Sequence, residues 1–246
     1  MSLSQWKIGQ RCIWPFLDME KILKDYLDIC NGFREGRLSK IERKKRHQLL
    51  TEWSKKEYEA PLPSLAEIND FWFQHDEICW NKLFICKVVC LAVLADIESG
   101  GWDGVKFLLR CFHGHEDTYI YANSPIAIFC EWTGYEYYSY DLVEKLAEVE
   151  PGNIDVLLFK YYRLKDRFEF SLHELPTGIL YEDVGLDQML RDVDEFERIC
   201  SILNFSGNES LIAACRLYYV AYDDYIKHKG KYTCFKDYLL RNNIGS

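Results

Sequence analysis

His113, His115, Glu116 and Asp117 place four metal-ligand side chains within HGHED (113–117). On an α-helix, residues two apart point about 200° from one another, so both imidazoles share a metal only on a strand or in a loop. A metal centre also needs a third ligand and groups behind the ligands that orient them. The sequence names neither. The reading adopted is a glycine-broken helix end, with His113 placed favourably against the negative pole of the helix dipole. No metal is expected there.

The other candidates are as sparse. His75 falls on the apolar face of a predicted helix, beside Asp76 and Glu77, and reads as a satisfied boundary histidine. His173 and Glu174 follow an apolar run and could cap a helix or line a pocket. A general base needs a nucleophile or cofactor within reach, and none is evident. Cys86 and Cys90 share one side of a helix among Val88, Val89 and Leu91. They read as small core hydrophobes, with nothing to lower the pKa of either. No phosphate-binding loop, dinucleotide fingerprint, nucleophile elbow or HExxH helix occurs. No catalytic, cofactor-binding or metal-binding residue is expected.

A different constellation stands out in EWTGYEYYSYDLVEKLAEVE (131–150). Glu131, Trp132, Tyr135, Glu136, Tyr137 and Tyr138 precede a predicted helix capped by Ser139. In that helix Leu142, Val143, Leu146 and Val149 form the stripe to be buried. Asp141, Glu144 and Glu148 line the opposite side, and Lys145 can pair with Asp141. Tryptophan and tyrosine give large contact area at low entropic cost, and surrounding carboxylates speed encounter with a basic partner. Tyr218, Tyr222 and Tyr225 repeat the theme on one helical stripe, with Asp223 and Asp224 beside them. Docking is one reading of these residues. Packing of some rings into the core is the other.

The elements that must position these groups are helical. Leu186, Met189, Leu190, Val193, Phe196, Cys200 and Leu203 make one stripe over 186–203, where Asp187–Arg191 and Asp194–Arg198 are expected to pair. Ser64 and Glu67 form a capping-box pattern before a helix over 64–79, with Leu65, Ile68, Trp72 and Cys79 on one face. A third helix covers 210–226, after the break at Gly207-Asn208. Others are predicted near 17–31, 38–58, 83–98, 103–113, 139–149, 153–171 and 231–241. Strand-like alternation is brief, over 118–129, and Pro125 interrupts it. The expected fold is all-α: about ten helices in a helical-hairpin or repeat-like array, although no repeat of about 34 residues holds. Residues 1–246 read as a single helical domain. APLPS (60–64) is the best breaker, so residues 1–60 could form a separate lobe.

Composition bounds the class of function. Ten cysteines without a CxxC pair, most of them in apolar helical runs, together with an N-terminus lacking a long apolar stretch, point to a reduced, cytoplasmic protein. The most apolar run, 83–97, contains Lys87 and is too short to span a bilayer. Net charge is -9, which disfavours general nucleic-acid binding. It is uneven: residues 131–199 carry 17 acidic against 7 basic side chains, and residues 34–47 carry 7 basic against 2 acidic. The basic run reads as a solvated helix face.

An acidic helical chain with an aromatic-acidic surface, and PGNIDVLLFKYYRLKDRFEFSLHELPTGILY (151–181) within it, resembles the helical immunity proteins of bacterial contact-dependent inhibition and related polymorphic toxin systems. The resemblance implies a one-to-one complex with a cognate toxin domain in the cytoplasm, blocked by occlusion. If that toxin is a nuclease, Asp and Glu would stand in for phosphates in its basic cleft. These families share no strict motif, so the resemblance assigns no residue. A helical adaptor for a protein or peptide remains an alternative, as does an enzyme built on an unrecognised His/acid site.

Overall fold

The protein is described here by a computed structural model covering residues 19–33, 37–59, 62–111, 124–134, 141–180 and 185–245. Every regular element among the described residues is helical, and the all-α expectation holds. The chain divides into two compact units, Met1–Glu144 and Lys145–Ser246.

The first unit is built on aromatic packing. Helix α1 (Met19–Asn31) buries Ile22, Tyr26 and Cys30, four residues apart, against α2 (Lys40–Lys55). The Trp53 indole donates to the Ile22 carbonyl at 3.2 Å, and its ring lies 4.9 Å from that of Tyr26. Both ends of the α2 entry box are made: Ser39 Oγ accepts from the Glu42 amide, and Glu42 accepts from the Ser39 amide. Lys40, Arg43, Lys44 and Lys45 of α2 are exposed.

The helix expected over 64–79 is two helices. The Ser64–Glu67 box forms as expected and opens α3 (Leu65–Gln74). His75 ends it: its backbone leaves helical geometry, its amide bonds the Trp72 carbonyl, and its ring packs 4.9 Å from Phe71. The short α4 (Asp76–Cys79) follows, with Cys79 buried. The Tyr26 hydroxyl donates to the Ile78 carbonyl, holding this turn against α1.

Next comes one continuous helical run: α5 (Lys82–Phe84), a π-helical turn (Ile85–Val89) and α6 (Cys90–Glu98). The π turn is set by the Cys90 amide reaching back five residues to the Ile85 carbonyl. Phe84, Ile85, Val88, Val89 and Val93 are all fully buried, so this run is the hub of the unit. Helix α7 (Asp103–Arg110) crosses α6 closely at Gly104, where an added Cβ would sit 3.0 Å from Val93 Cα. Asp96 of α6 accepts the Gly104 amide at 2.8 Å and so caps α7 from outside the helix.

Helix α8 (Pro125–Thr133) covers the described part of the brief alternation over 118–129. Ser124 Oγ accepts the Ala127 amide, and Pro125 occupies the first helical position, where its missing N–H costs nothing. Pro125, which argues against a strand in the sequence, starts a helix here. Helix α9 (Asp141–Val149) buries Leu142, Val143 and Leu146 as expected, whereas Val149 is exposed. Its expected cap, Ser139, lies outside the described residues.

The second unit is a set of helical hairpins. Helix α10 (Ile154–Leu172) is capped by Asn153, α11 (Leu186–Leu203) ends on Asn204 in left-handed geometry, and α12 (Glu209–Lys227) follows. Phe168 packs on Phe196 and Tyr161 on Phe196, and Arg167 pairs with Asp192 at 2.6 Å. The expected α11 stripe buries Met189, Val193, Phe196 and Cys200, with Leu186, Leu190 and Leu203 half-buried. The last helix, α13 (Phe235–Arg241), starts four residues later than expected, after a 3-10 turn at Lys229–Lys231. Phe235 and Tyr238 pack on Tyr225 of α12.

Candidate functional site

The predicted aromatic-acidic stretch is partly visible. Tyr135, Glu136, Tyr137 and Tyr138 lie outside the described residues, as does HGHED (113–117). Glu131 and Trp132 occupy the last turn of α8, and both are exposed, Trp132 at 38%. Glu131 accepts from Lys82 Nζ at 2.7 Å, and that bond raises the pKa of the lysine. Asp141 and Glu144 are exposed on the first turn of α9, and Glu148 is exposed further along the same helix. Asp141 is close enough to Cys130 to add to the effect of burial, which together push that thiol up to about 11. Exposed Glu131 and Trp132 at the end of α8 and exposed Asp141 and Glu144 at the start of α9 flank residues 135–140 in the sequence.

The second aromatic-acidic group is engaged within its own unit. Tyr225 is buried, and Tyr222 meets Phe235 edge-on at 5.0 Å. Asp223 pairs with Lys227 at 2.6 Å. Asp224 accepts from the Tyr238 hydroxyl at 2.9 Å and lies 3.2 Å from His228 Nδ1. Tyr222, Tyr225 and Asp224 dock α13 onto α12, whereas the Asp223–Lys227 pair lies within α12.

The carboxylates of α11 find other partners than the expected ones. Arg198 bonds Glu195 at 2.6 and 2.8 Å, and Arg191 bonds Gln188 at 2.8 Å. Asp194 instead pairs with Arg216 of α12 at 2.7 Å, and Arg216 also holds Glu197. This face is part of a helix–helix seam. His173 caps α10: its Nδ1 lies 2.6 Å from the Phe170 carbonyl and its Nε2 lies 2.9 Å from Glu174.

The sequence reads Cys86 as a core hydrophobe with nothing to lower its pKa, and the structure differs. Cys86 sits in the π turn, half-buried, with fully buried Cys90 four residues on and Lys82 four residues back. A hydrogen bond from the Cys90 thiol favours the Cys86 thiolate and, with the Lys82 charge, outweighs burial and the nearby Glu131. The Cys86 thiol is lowered to about 7, and Cys90 is raised in return. A Cys-x3-Cys pair in an apolar helix carries no sign of this, because the π turn is not written in the periodicity.

No helix among the described residues is long and apolar enough to cross a membrane. No group of three or more His, Cys, Asp or Glu side chains among them is arranged to hold a metal. No family model matches the chain, and neither the curated proteins nor the solved structures include a match.

Proposed function

We propose that the protein is an immunity protein. It binds one copy of a cognate basic toxin domain, a nuclease, in the cytoplasm and neutralises it by covering the substrate cleft. The observation that carries this reading is the exposure of Trp132 and Glu131 at the end of α8 and of Asp141 and Glu144 at the start of α9. The connection between these two helix ends is the segment holding Tyr135, Glu136, Tyr137 and Tyr138. A rigid indole supplies contact area, and carboxylates around it steer a basic surface into place. A cleft made to bind phosphates also accepts carboxylates. Glu131 is already bonded to Lys82, which offsets part of its charge.

The test is to titrate the purified chain into the basic toxin domain encoded beside it, following nuclease activity and binding together. The expected result is loss of activity at one equivalent and an affinity that weakens as salt shortens the range of charge attraction. Asp141→Ala, Glu144→Ala, Glu136→Ala, Tyr138→Ala and Trp132→Ala each weaken the complex. A nuclease that stays active at saturating chain overturns the function. Neutralisation that all five substitutions leave unchanged overturns this surface.

A further inference from the structure

Cys86 and Cys90 lie on the hub helix of the first unit, four residues apart across the π turn. Four residues of α-helix rise about 6 Å, inside the roughly 4.4–6.8 Å separation of Cα atoms that a disulfide spans. The wider π turn brings the two residues more nearly one above the other. Cys86 is reachable from solvent, whereas Cys90 is fully buried. Lys82, one turn before Cys86, favours the thiolate, and Glu131, which bonds Lys82, opposes it. Helix α8 packs over the turn and brings Glu131 and the buried Cys130.

We propose that Cys86 and Cys90 form an oxidisable dithiol whose substrate is a small hydroperoxide, with Cys86 the attacking sulfur and Cys90 the resolving one. The Cys86 thiolate attacks one peroxide oxygen. The O–O bond breaks and the alkoxide or hydroxide leaves, taking a proton from water. Cys86 is thereby oxidised by two electrons to the sulfenic acid. Cys90 then attacks the Cys86 sulfur, the S–O bond breaks, and hydroxide leaves with the Cys90 proton as water. Two thiols and one hydroperoxide yield one disulfide, one alcohol or water, and one further water. Residues four apart on a helix lie on the same face, so the two side chains are neighbours one turn apart. The lowered Cys86 pKa supplies thiolate at neutral pH, where an ordinary thiol supplies a few per cent.

The full chain carries its own reference thiol, the exposed Cys234. Trypsin cleaves after Lys87, between the two sulfurs, so a disulfide joins peptides 83–87 and 88–106. With about one equivalent of hydrogen peroxide, mass spectrometry is expected to find that linked pair before any oxidation of Cys234. In Cys90→Ser, a sulfenic-acid trap such as dimedone is expected on Cys86. At pH 7, iodoacetamide is expected to modify Cys86 several-fold faster than Cys234. Oxidation of Cys234 ahead of Cys86 overturns the proposal, and so does a Cys86 disulfide to Cys130 that survives in Cys90→Ser at the wild-type rate. Cys130→Ser, which leaves both sulfurs in place, is expected to oxidise like the wild type.

Discussion

Lys87 Nζ donates to the Ser54 carbonyl at 2.9 Å, so a cation inside the most apolar stretch of the chain closes the C-terminus of another helix. The Lys56 carbonyl takes a second bond at 2.7 Å, and the rings of Trp53 and Tyr58 flank the ammonium at 5.6 and 5.4 Å. Burial lowers the lysine's pKa, with the charge of Glu57 opposing. The last carbonyls of α2 would otherwise lack partners. Lys87→Met keeps the aliphatic length and removes the donor. It is expected to cost about 1–3 kcal/mol, the price of leaving acceptors unsatisfied. The described tryptophans, Trp53, Trp72, Trp80, Trp102 and Trp132, lie in the first unit and residues 145–246 contain none, so urea unfolding followed by tryptophan emission reports on that unit and not on the second.

Gly104 is expected to resist the smallest enlargement. Its Cβ would meet Val93 backbone and side chain at 3.0 to 3.2 Å, and neither is the free end of a flexible chain. Gly104→Ala is expected to destabilise the first unit by about 1–3 kcal/mol through overpacking. Gly152, with open space around it, is the control: Gly152→Ala is expected to be close to neutral in thermal unfolding.

Ser171 Oγ and the Tyr219 hydroxyl share a buried hydrogen bond of 2.6 Å between α10 and α12. Tyr219→Phe removes one partner and leaves the serine buried, a loss of about 1–3 kcal/mol. Adding Ser171→Ala is expected to restore part of that loss, because no polar group is then stranded. A double-mutant cycle measured by hydrogen exchange in the second unit checks this.

Asp25 predicts a pH dependence. Its bond to Lys56 at 2.6 Å, aided by the Tyr58 hydroxyl at 2.9 Å, holds its carboxyl below the ordinary value of 3.8 against the opposing effect of burial. A carboxyl depressed on folding contributes stability that is present above its unfolded pKa and is lost as pH falls through its folded pKa. Asp25→Asn is expected to be less stable at pH 7 by about 1 kcal/mol or less, since the pair is partly solvated. The gap to wild type is expected to close as pH falls below about 4. Urea midpoints from tryptophan emission across that range measure it.

The sequence by itself determined the helical class and most of the helix faces. The stripe Met189, Val193, Phe196 and Cys200, the buried Leu142, Val143 and Leu146, and the Ser64–Glu67 box all lie where spacing put them. Each depends only on neighbours within about four residues, which a helix brings together by itself. Serine followed by proline at 124–125 was equally local, and the brief alternation around it concealed a legible helix start.

Tertiary structure decided which partner each polar group finds. Asp194 lies four residues before Arg198, yet it bonds Arg216, because α12 packs beside α11 and brings the guanidinium within reach. Asp223 and Asp224 look like free surface in the sequence, and the arrival of Tyr238 on α13 is what gives Asp224 a donor. Lys87 interrupts an apolar run until α2 places two carbonyls above it. In each case the deciding contact joins residues far apart in the chain, and only packing brings them close enough to interact.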